Sequence, residues 1–253
     1  MFNLHTHTYR CNHASGKDEE YVIKAIQNGY GTIGFSDHAP YIFPSGHVSS
    51  FRMLPNEAEG YAKSINSLKE KYKGKIDIKL GFELEYYPAL FEKEIEFLKT
   101  FNYDYLILGQ HYTDNEYEDY AAYTGSVTAS QAVLDKYISQ VILGAKSGYY
   151  TYVAHPDLIN FKGESELYIK KMTYMITELK KIGIPLEFNF LGFTAKRNYP
   201  NLDFWKIVSK VGNDVVIGLD AHSPSVYDDK ENLQKAKQVL QDLNITPLDK
   251  IEL

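Results

Sequence analysis

Phe2-Asn3-Leu4-His5-Thr6-His7 opens the chain as a short apolar run ending in two histidines one residue apart, and His13 follows a few residues on. On an extended strand, side chains at i and i+2 point the same way. His5 and His7 can therefore converge on one ion from a single strand end, and neutral imidazole is the commonest metal ligand. A His-Thr-His tripeptide alone is weak ground, because such a pair is often only a surface feature. Its meaning depends on where the other histidines fall.

Working outward, residues 2–7 read as a first strand and 17–29 as a helix, with Asp18, Glu19 and Glu20 suited to its first turn and Gly29 to its C-terminal cap. Thr32 to Ser36 is a second strand, followed by Asp37-His38, and a Pro- and Gly-containing loop leads to a helix at about 56–73. Ile76 to Phe82 is a third strand delivering Glu83 and Glu85; a helix at 89–101 precedes a fourth, Tyr103 to Leu108, which ends at Gly109-Gln110-His111. A tyrosine-rich loop at 112–127 and a helix at about 129–147 precede a fifth, Tyr150 to Ala154, before His155-Pro156-Asp157. A helix at 164–182, a sixth strand Pro185 to Phe188, a helix at 201–211, a seventh strand Asp214 to Leu219 with Asp220-Ala221-His222 after it, and a helix at 229–242 complete the chain. Short apolar strands alternating with helices argue for parallel βα units rather than a sandwich. No Pro/Gly/Ser-rich linker divides the sequence, so residues 1–253 read as a single α/β domain, a closed or nearly closed barrel with its active site at the C-terminal strand ends.

The eight histidines now acquire positions. His5, His7, His38, His111, His155 and His222 sit at or just past a strand end, His13 lies in the first βα loop, and His47 lies well inside the second. Strand-end windows cover roughly 15% of such a chain, so about one histidine in eight would fall there by chance. Glu83, Glu85 and Asp220 stand at the same level. Histidine with carboxylate is a donor set for Zn, Mn or Fe, whereas Ca and Mg prefer oxygen. The number of ligands exceeds the needs of one tetrahedral ion and points to two or three divalent transition metals. Such clusters serve hydrolysis: one ion lowers the pKa of a bound water and another holds the electrophile.

Composition narrows the classes. With 253 residues, 44% hydrophobic and 24% charged, the chain can bury a sizeable core. A net charge of −6 argues against a long nucleic-acid partner. Cys11 is the single cysteine, so neither a disulfide framework nor a Cys-rich zinc module forms within the chain. No secretory signal or membrane-length apolar run is read, and a cytoplasmic location is the expectation. The stretch Gly29-Tyr30-Gly31-Thr32-Ile33-Gly34 matches a dinucleotide fingerprint by letter, but it precedes a strand instead of following one.

Seven motifs in order, His5-Thr6-His7, Cys11-Asn12-His13-Ala14, Gly34-Phe35-Ser36-Asp37-His38, Gly81-Phe82-Glu83, Gly109-Gln110-His111, Ala154-His155-Pro156-Asp157 and Asp220-Ala221-His222-Ser223-Pro224, resemble the PHP (polymerase and histidinol phosphatase) superfamily, and within it the monofunctional histidinol-phosphatase branch. The resemblance implies a distorted (β/α)7 barrel and a trinuclear site. By analogy His5, His7, Glu83 and Asp220 hold a first ion, Glu83 with His111 and His155 a second, and His13, His38 and His222 a third. Glu85 faces the same way as Glu83 on its strand and competes for the bridging role. The expected reaction is attack of a metal-bridging hydroxide on a phosphate monoester, most simply L-histidinol phosphate. Arg197 is the better guanidinium for the phosphate and Arg52 the next, since arginine grips phosphate bidentately. His47 is a further candidate substrate contact, and Glu83 and Asp220 are the carboxylates expected to act in catalysis. Rival expectations are a protein-tyrosine phosphatase or a phosphodiesterase/exonuclease of the same superfamily, a non-catalytic metal-binding module, and a thiol enzyme using Cys11. The oligomeric state is not legible.

Overall fold

The computed structural model describes residues 1–253, with the side chain of Ser45 excepted. Seven parallel strands form one sheet in chain order: β1 (Phe2–Asn3), β2 (Thr32–His38), β3 (Asp77–Leu84), β4 (Tyr105–Leu108), β5 (Tyr152–Val153), β6 (Leu186–Asn189) and β7 (Val215–Gly218). Helices α1 (Asp18–Gln27), α2 (Ala58–Lys71), α3 (Phe91–Lys99), α4 (Gln131–Lys146), α5 (Ser165–Ile182), α6 (Phe190–Thr194) and α7 (Leu202–Val211) lie in the crossovers, and α8 (Lys230–Asp242) follows β7. Their ends follow the expected chemistry. Ser130 and Asn201 cap the first turns of α4 and α7 with side-chain oxygens, and Gly183 and Gly212 end α5 and α7 in the left-handed conformation. The expected α/β barrel is thus present, with the short α6 added directly after β6 where the sequence was read as loop.

β1 is much shorter than the expected strand over 2–7, and the reason lies in barrel closure. Beyond Asn3 the chain stays extended but changes partners. Thr6 accepts from the Ser36 N–H of β2 at 2.9 Å, while His7 donates to the Ala221 carbonyl at 3.0 Å and His5 accepts from the Ala221 N–H at 3.1 Å. Thr6 and Ala221 form a parallel bridge that joins the first and last strands. The buried Asn3 amide seals this seam: its Nδ2 donates to Thr6 Oγ1 and Tyr227 Oη at 2.9 Å each, and its Oδ1 accepts from the Leu219 N–H at 2.9 Å.

Two cores follow from the closure. Inside the barrel Leu4, Tyr105, Ile107, Tyr152, Ala154 and Val216 pack together, and the Tyr105 hydroxyl donates across the interior to the Leu4 carbonyl at 2.7 Å. Leu248 and Ile251, beyond α8, pack against this cluster, so the closing residues cover the N-terminal end of the barrel. The larger core lies between sheet and helices and takes in Phe35, Phe82, Met175 and Trp205. No described helix is long and apolar enough to cross a membrane. With one end of the barrel filled by apolar side chains, the other is left for polar chemistry.

Replacing Asn3 by Ala strands the buried Leu219 N–H and leaves the Thr6 and Tyr227 hydroxyls with only each other, and is expected to cost about 2 kcal/mol. Urea unfolding monitored by circular dichroism measures it; a loss below about 1 kcal/mol would show that the seam does not depend on this amide.

Candidate active site

His5 and His7 follow β1, His38 ends β2, Glu83 lies in β3, and His111, His155 and Asp220 follow β4, β5 and β7 within a few residues. Parallel strands of similar register deliver all of them to one end. Glu83 is 1% exposed and stands at the centre. Its Oε1 lies 2.8 Å from His155 Nε2 and 3.6 Å from His111 Nε2. Its Oε2 lies 3.0 Å from His38 Nδ1 and 3.6 Å from both His5 Nε2 and His7 Nε2. Asp220 Oδ1 completes the first group at 3.5 Å from His5 Nε2 and 3.1 Å from His7 Nε2. The two oxygens of one carboxylate therefore face two sets of imidazoles. Gly109 makes room for this: a Cβ there would overlap the Glu83 carboxylate, and a Cβ at Gly218 would overlap Glu187.

A second ring of buried acids fixes the imidazoles from behind. Glu187 Oε2 takes His5 Nδ1 at 2.7 Å, Glu85 Oε1 takes His111 Nδ1 at 2.7 Å, and Asp37 Oδ1 lies 3.4 Å from His7 Nδ1. Asp37 is held in turn by the backbone N–H and hydroxyl of Thr8. His13 and His222 donate Nδ1 to the Cys11 and Asp220 carbonyls at 2.7 and 2.9 Å. Because a carbonyl only accepts, their Nε2 atoms carry lone pairs, and those atoms face each other at 2.9 Å. Glu85 thus supports His111 and is not the shared carboxylate; Glu83 occupies that place. His38 stands apart from the His13–His222 pair in aiming Nδ1 at Glu83.

The electrostatics record the crowding. Burial opposes charge on His5, yet Glu187, Asp220 and Glu83 together hold its pKa well above the ordinary value. Burial likewise opposes charge on His7, but the neighbouring Asp220 and Asp37 carboxylates lift it to about 9. The opposite holds for His38, pushed well down by burial and the neighbouring His7, and for His222, pushed to about 3 by the same two causes. Despite their burial, Glu83 and Asp220 are held well below the carboxylate range by the surrounding imidazoles. Glu83, Asp220, Asp37 and Glu187 have no lysine or arginine partner among the described residues. Four buried negative charges are thus left to imidazolium protons or to bound cations.

The donor set fits cations. His5 Nε2, His7 Nε2, His38 Nδ1 and Glu83 Oε2 are buried, lie within ion-pairing distance of one another's groups, and make no hydrogen bond of acceptable direction. Imidazole nitrogens and carboxylate oxygens converging without hydrogen bonds suit borderline transition metals. His155 and Asp220 also hold positive φ angles of 30° and 49°, each two residues past a strand end.

A cavity of about 390 Å³ opens over the cluster, lined among others by Arg197, Tyr199, Phe51, Tyr112 and Tyr123. Arg197 is fixed by its Nη1 donating to the Tyr199 hydroxyl at 2.8 Å. Two expected substrate contacts are not in this lining. Arg52 is 1% exposed and bound to Glu85 and Glu116 at 2.7 Å each, so its guanidinium is already occupied. His47 projects away, 3.8 Å from Glu116. Asp157 turns instead to the Asn201 N–H and the Trp205 indole, and Cys11 is fully buried with its thiol raised far above the ordinary range by burial. The sequence reading missed Tyr199, Phe51 and the supporting role of Glu187. Their only signal was proximity in sequence to Arg197, Arg52 and the sixth strand end.

A parallel barrel with a histidine–carboxylate cluster at its C-terminal strand ends defines an enzyme of the barrel class. The chain belongs to the PHP domain family, whose sequence pattern matches residues 3–191. It is 27% identical over 229 residues to a protein of Deinococcus radiodurans named a probable histidinol-phosphatase, covering 88% of this chain and 87% of that one. It is also 27% identical over 256 residues to a histidinol-phosphatase of Bacillus subtilis, covering 86% and 92%. The fold matches the crystal structure of histidinol phosphate phosphatase from Lactococcus lactis complexed with zinc, L-histidinol and phosphate, with a TM-score of 0.75, 20% identity and coverage of 100% of this chain and 98% of that one.

A divalent cation entering this cluster must displace the protons of His5 and His7, both held above the ordinary imidazole pKa. Cation affinity should therefore rise with pH from the neutral range through about 9, where His7 loses its proton unaided. Zinc titration calorimetry in buffers of different ionisation enthalpy reads the released protons, and an affinity that does not change with pH would refute the competition.

Proposed function

We propose that the chain is a metal-dependent phosphoric monoester hydrolase that cleaves L-histidinol phosphate to L-histidinol and phosphate. The observation that carries this reading is the Glu83 carboxylate, ringed by imidazoles with unpartnered nitrogens, on the floor of a cavity walled by Arg197. Relatives matching along most of both chains carry the name of that activity. His5, His7, Glu83 and Asp220 would hold one ion, Glu83 with His111 and His155 a second, and His13 and His222, with His38 beside them, a third. Zinc, manganese and iron all suit the donor set. Four buried carboxylates with no lysine or arginine partner support the binding of divalent cations here.

Divalent ions held there would activate water and neutralise phosphate charge. The chain's own groups do the rest. Arg197, braced by Tyr199, grips the phosphoryl oxygens as charge builds on them. Glu187 and Glu85 keep the Nδ1 protons of His5 and His111 in place, so that the Nε2 lone pairs stay aimed at the Glu83 side of the site. The stacked rings of Phe51 and Tyr112, with Tyr123 edge-on beside them, give the cavity an aromatic lining suited to an imidazole ring. The reading carries with it a small phosphorylated substrate and a cytoplasmic location.

Phosphate release by zinc- or manganese-reconstituted protein should favour L-histidinol phosphate over phosphotyrosine peptide, an aryl phosphate and a short oligonucleotide by at least about 100-fold in kcat/KM, some 2.7 kcal/mol of transition-state discrimination. Equal slow rates on the whole panel would remove the substrate assignment, and a preference for the peptide would move it to the tyrosine-phosphatase reading. Glu83→Ala should lose bound metal and turnover together, since one side chain serves two groups. Normal metal content in that variant would sink the ligand assignment. Arg197→Ala is expected to lower kcat/KM about 100-fold with metal content unchanged.

A further inference from the structure

We propose that Arg52 is a positioning residue that fixes His111 through Glu85 and holds the 112–123 loop against the cavity through Glu116. The proposal rests on reading His111 as a metal ligand. Arg52 lies in the loop after β2, Glu85 just past β3, His111 just past β4, and Glu116 in the loop that follows. One guanidinium therefore ties the loops of three successive strands.

The guanidinium makes directed hydrogen bonds to Glu116 and Ala39, while its buried Nη2 pairs with both acids by charge and proximity, without a well-directed hydrogen bond. Nη2 lies 2.7 Å from Glu85 Oε1 and 2.7 Å from Glu116 Oε2, Nε donates to Glu116 Oε2 at 2.8 Å, and Nη1 to the Ala39 carbonyl at 3.3 Å. Glu85 Oε1 is the same oxygen that takes His111 Nδ1. Without the guanidinium, that oxygen has no fixed position, and the imidazole it orients loses its aim. On the other flank, Tyr112 and Tyr123 pair as an antiparallel bridge within the loop that carries Glu116. Tyr112 stacks on Phe51 at 5.9 Å, and the Arg52 guanidinium lies 4.4 Å over the Phe51 ring. Phe51, Tyr112 and Tyr123 all face the cavity. A lysine ammonium is a point charge and cannot bridge both carboxylates, the carbonyl and the ring at once.

The test compares zinc-loaded wild type with Arg52→Lys, Arg52→Met and Glu116→Gln, folding being checked by circular dichroism. Zinc loss to a chelator and steady-state constants on an aryl phosphate and on L-histidinol phosphate are measured. Arg52→Met should release one zinc equivalent at least about tenfold faster and lower kcat. Arg52→Lys should not restore wild-type retention. Glu116→Gln should raise KM several-fold while zinc retention stays at the wild-type rate, because only the loop is loosened. Wild-type zinc retention in Arg52→Met overturns the proposal; should that variant fail to fold, wild-type retention and KM in Arg52→Lys overturn it equally. Absence of any preference for L-histidinol phosphate in the wild type, with zinc release still ordered as stated, removes the substrate reading and supports the positioning role.

Discussion

A carboxylate buried among imidazoles is the constraint on which the rest of this molecule depends. Glu83 is 1% exposed, and an ionised carboxylate removed from water is strongly disfavoured unless charge or hydrogen bonds compensate it. Its compensation comes from side chains on four other strand ends, so the barrel must close and its strands must run in near register before Glu83 is satisfied. The requirement reaches into the backbone. Gly109 carries no side chain where the carboxylate stands. The Asn3 seam holds His5 and His7 on the far side of the same ring.

Orientation is the second requirement, and the protein meets it at the nitrogen that faces away from the centre. His5, His7 and His111 present Nδ1 to Glu187, Asp37 and Glu85, while His13 and His222 present it to backbone carbonyls. Each such contact settles a tautomer and sends the other lone pair inward. The two kinds of partner differ in consequence. An acid adds negative charge behind the imidazole and raises its basicity, whereas a carbonyl only orients it. His5 and His7, each between buried acids, are held above the ordinary pKa, and His222, lowered by burial and by the neighbouring His7, is held far below it.

Much of this was legible in the sequence because strand ends are legible there. Short apolar runs bounded by turn residues located seven strands, and the histidines announced themselves by falling just past them. The resemblance to the PHP superfamily added the order of motifs. What escaped reading depends on direction in space. Glu83 and Glu85 share one face of β3, and nothing in their spacing says which meets the imidazoles and which stands behind one of them. Arg52 and Arg197 are both arginines in βα loops, and only the fold shows that two buried acids occupy the first while the second faces the cavity. β1 escaped for a different reason: an extended segment that trades one neighbour for another halfway along has no sequence signal beyond its apolar character.

The site also sets the balance between stability and function. Buried polar atoms without hydrogen bonds and non-glycine residues at positive φ are each unfavourable, and several of the former and two of the latter, His155 and Asp220, lie within this one cluster. They persist because the surrounding structure leaves no alternative. The outer apolar core is extensive, and the barrel interior is closed at its other end by Leu248 and Ile251. A ligand that binds the folded cluster and not the unfolded chain stabilises the fold by mass action, so the same unpartnered atoms that weaken the cation-free protein are the ones through which cations would strengthen it. Folding and cation binding are then coupled through a single set of side chains. That coupling explains why the polar end of the barrel tolerates an arrangement that the apolar end would not.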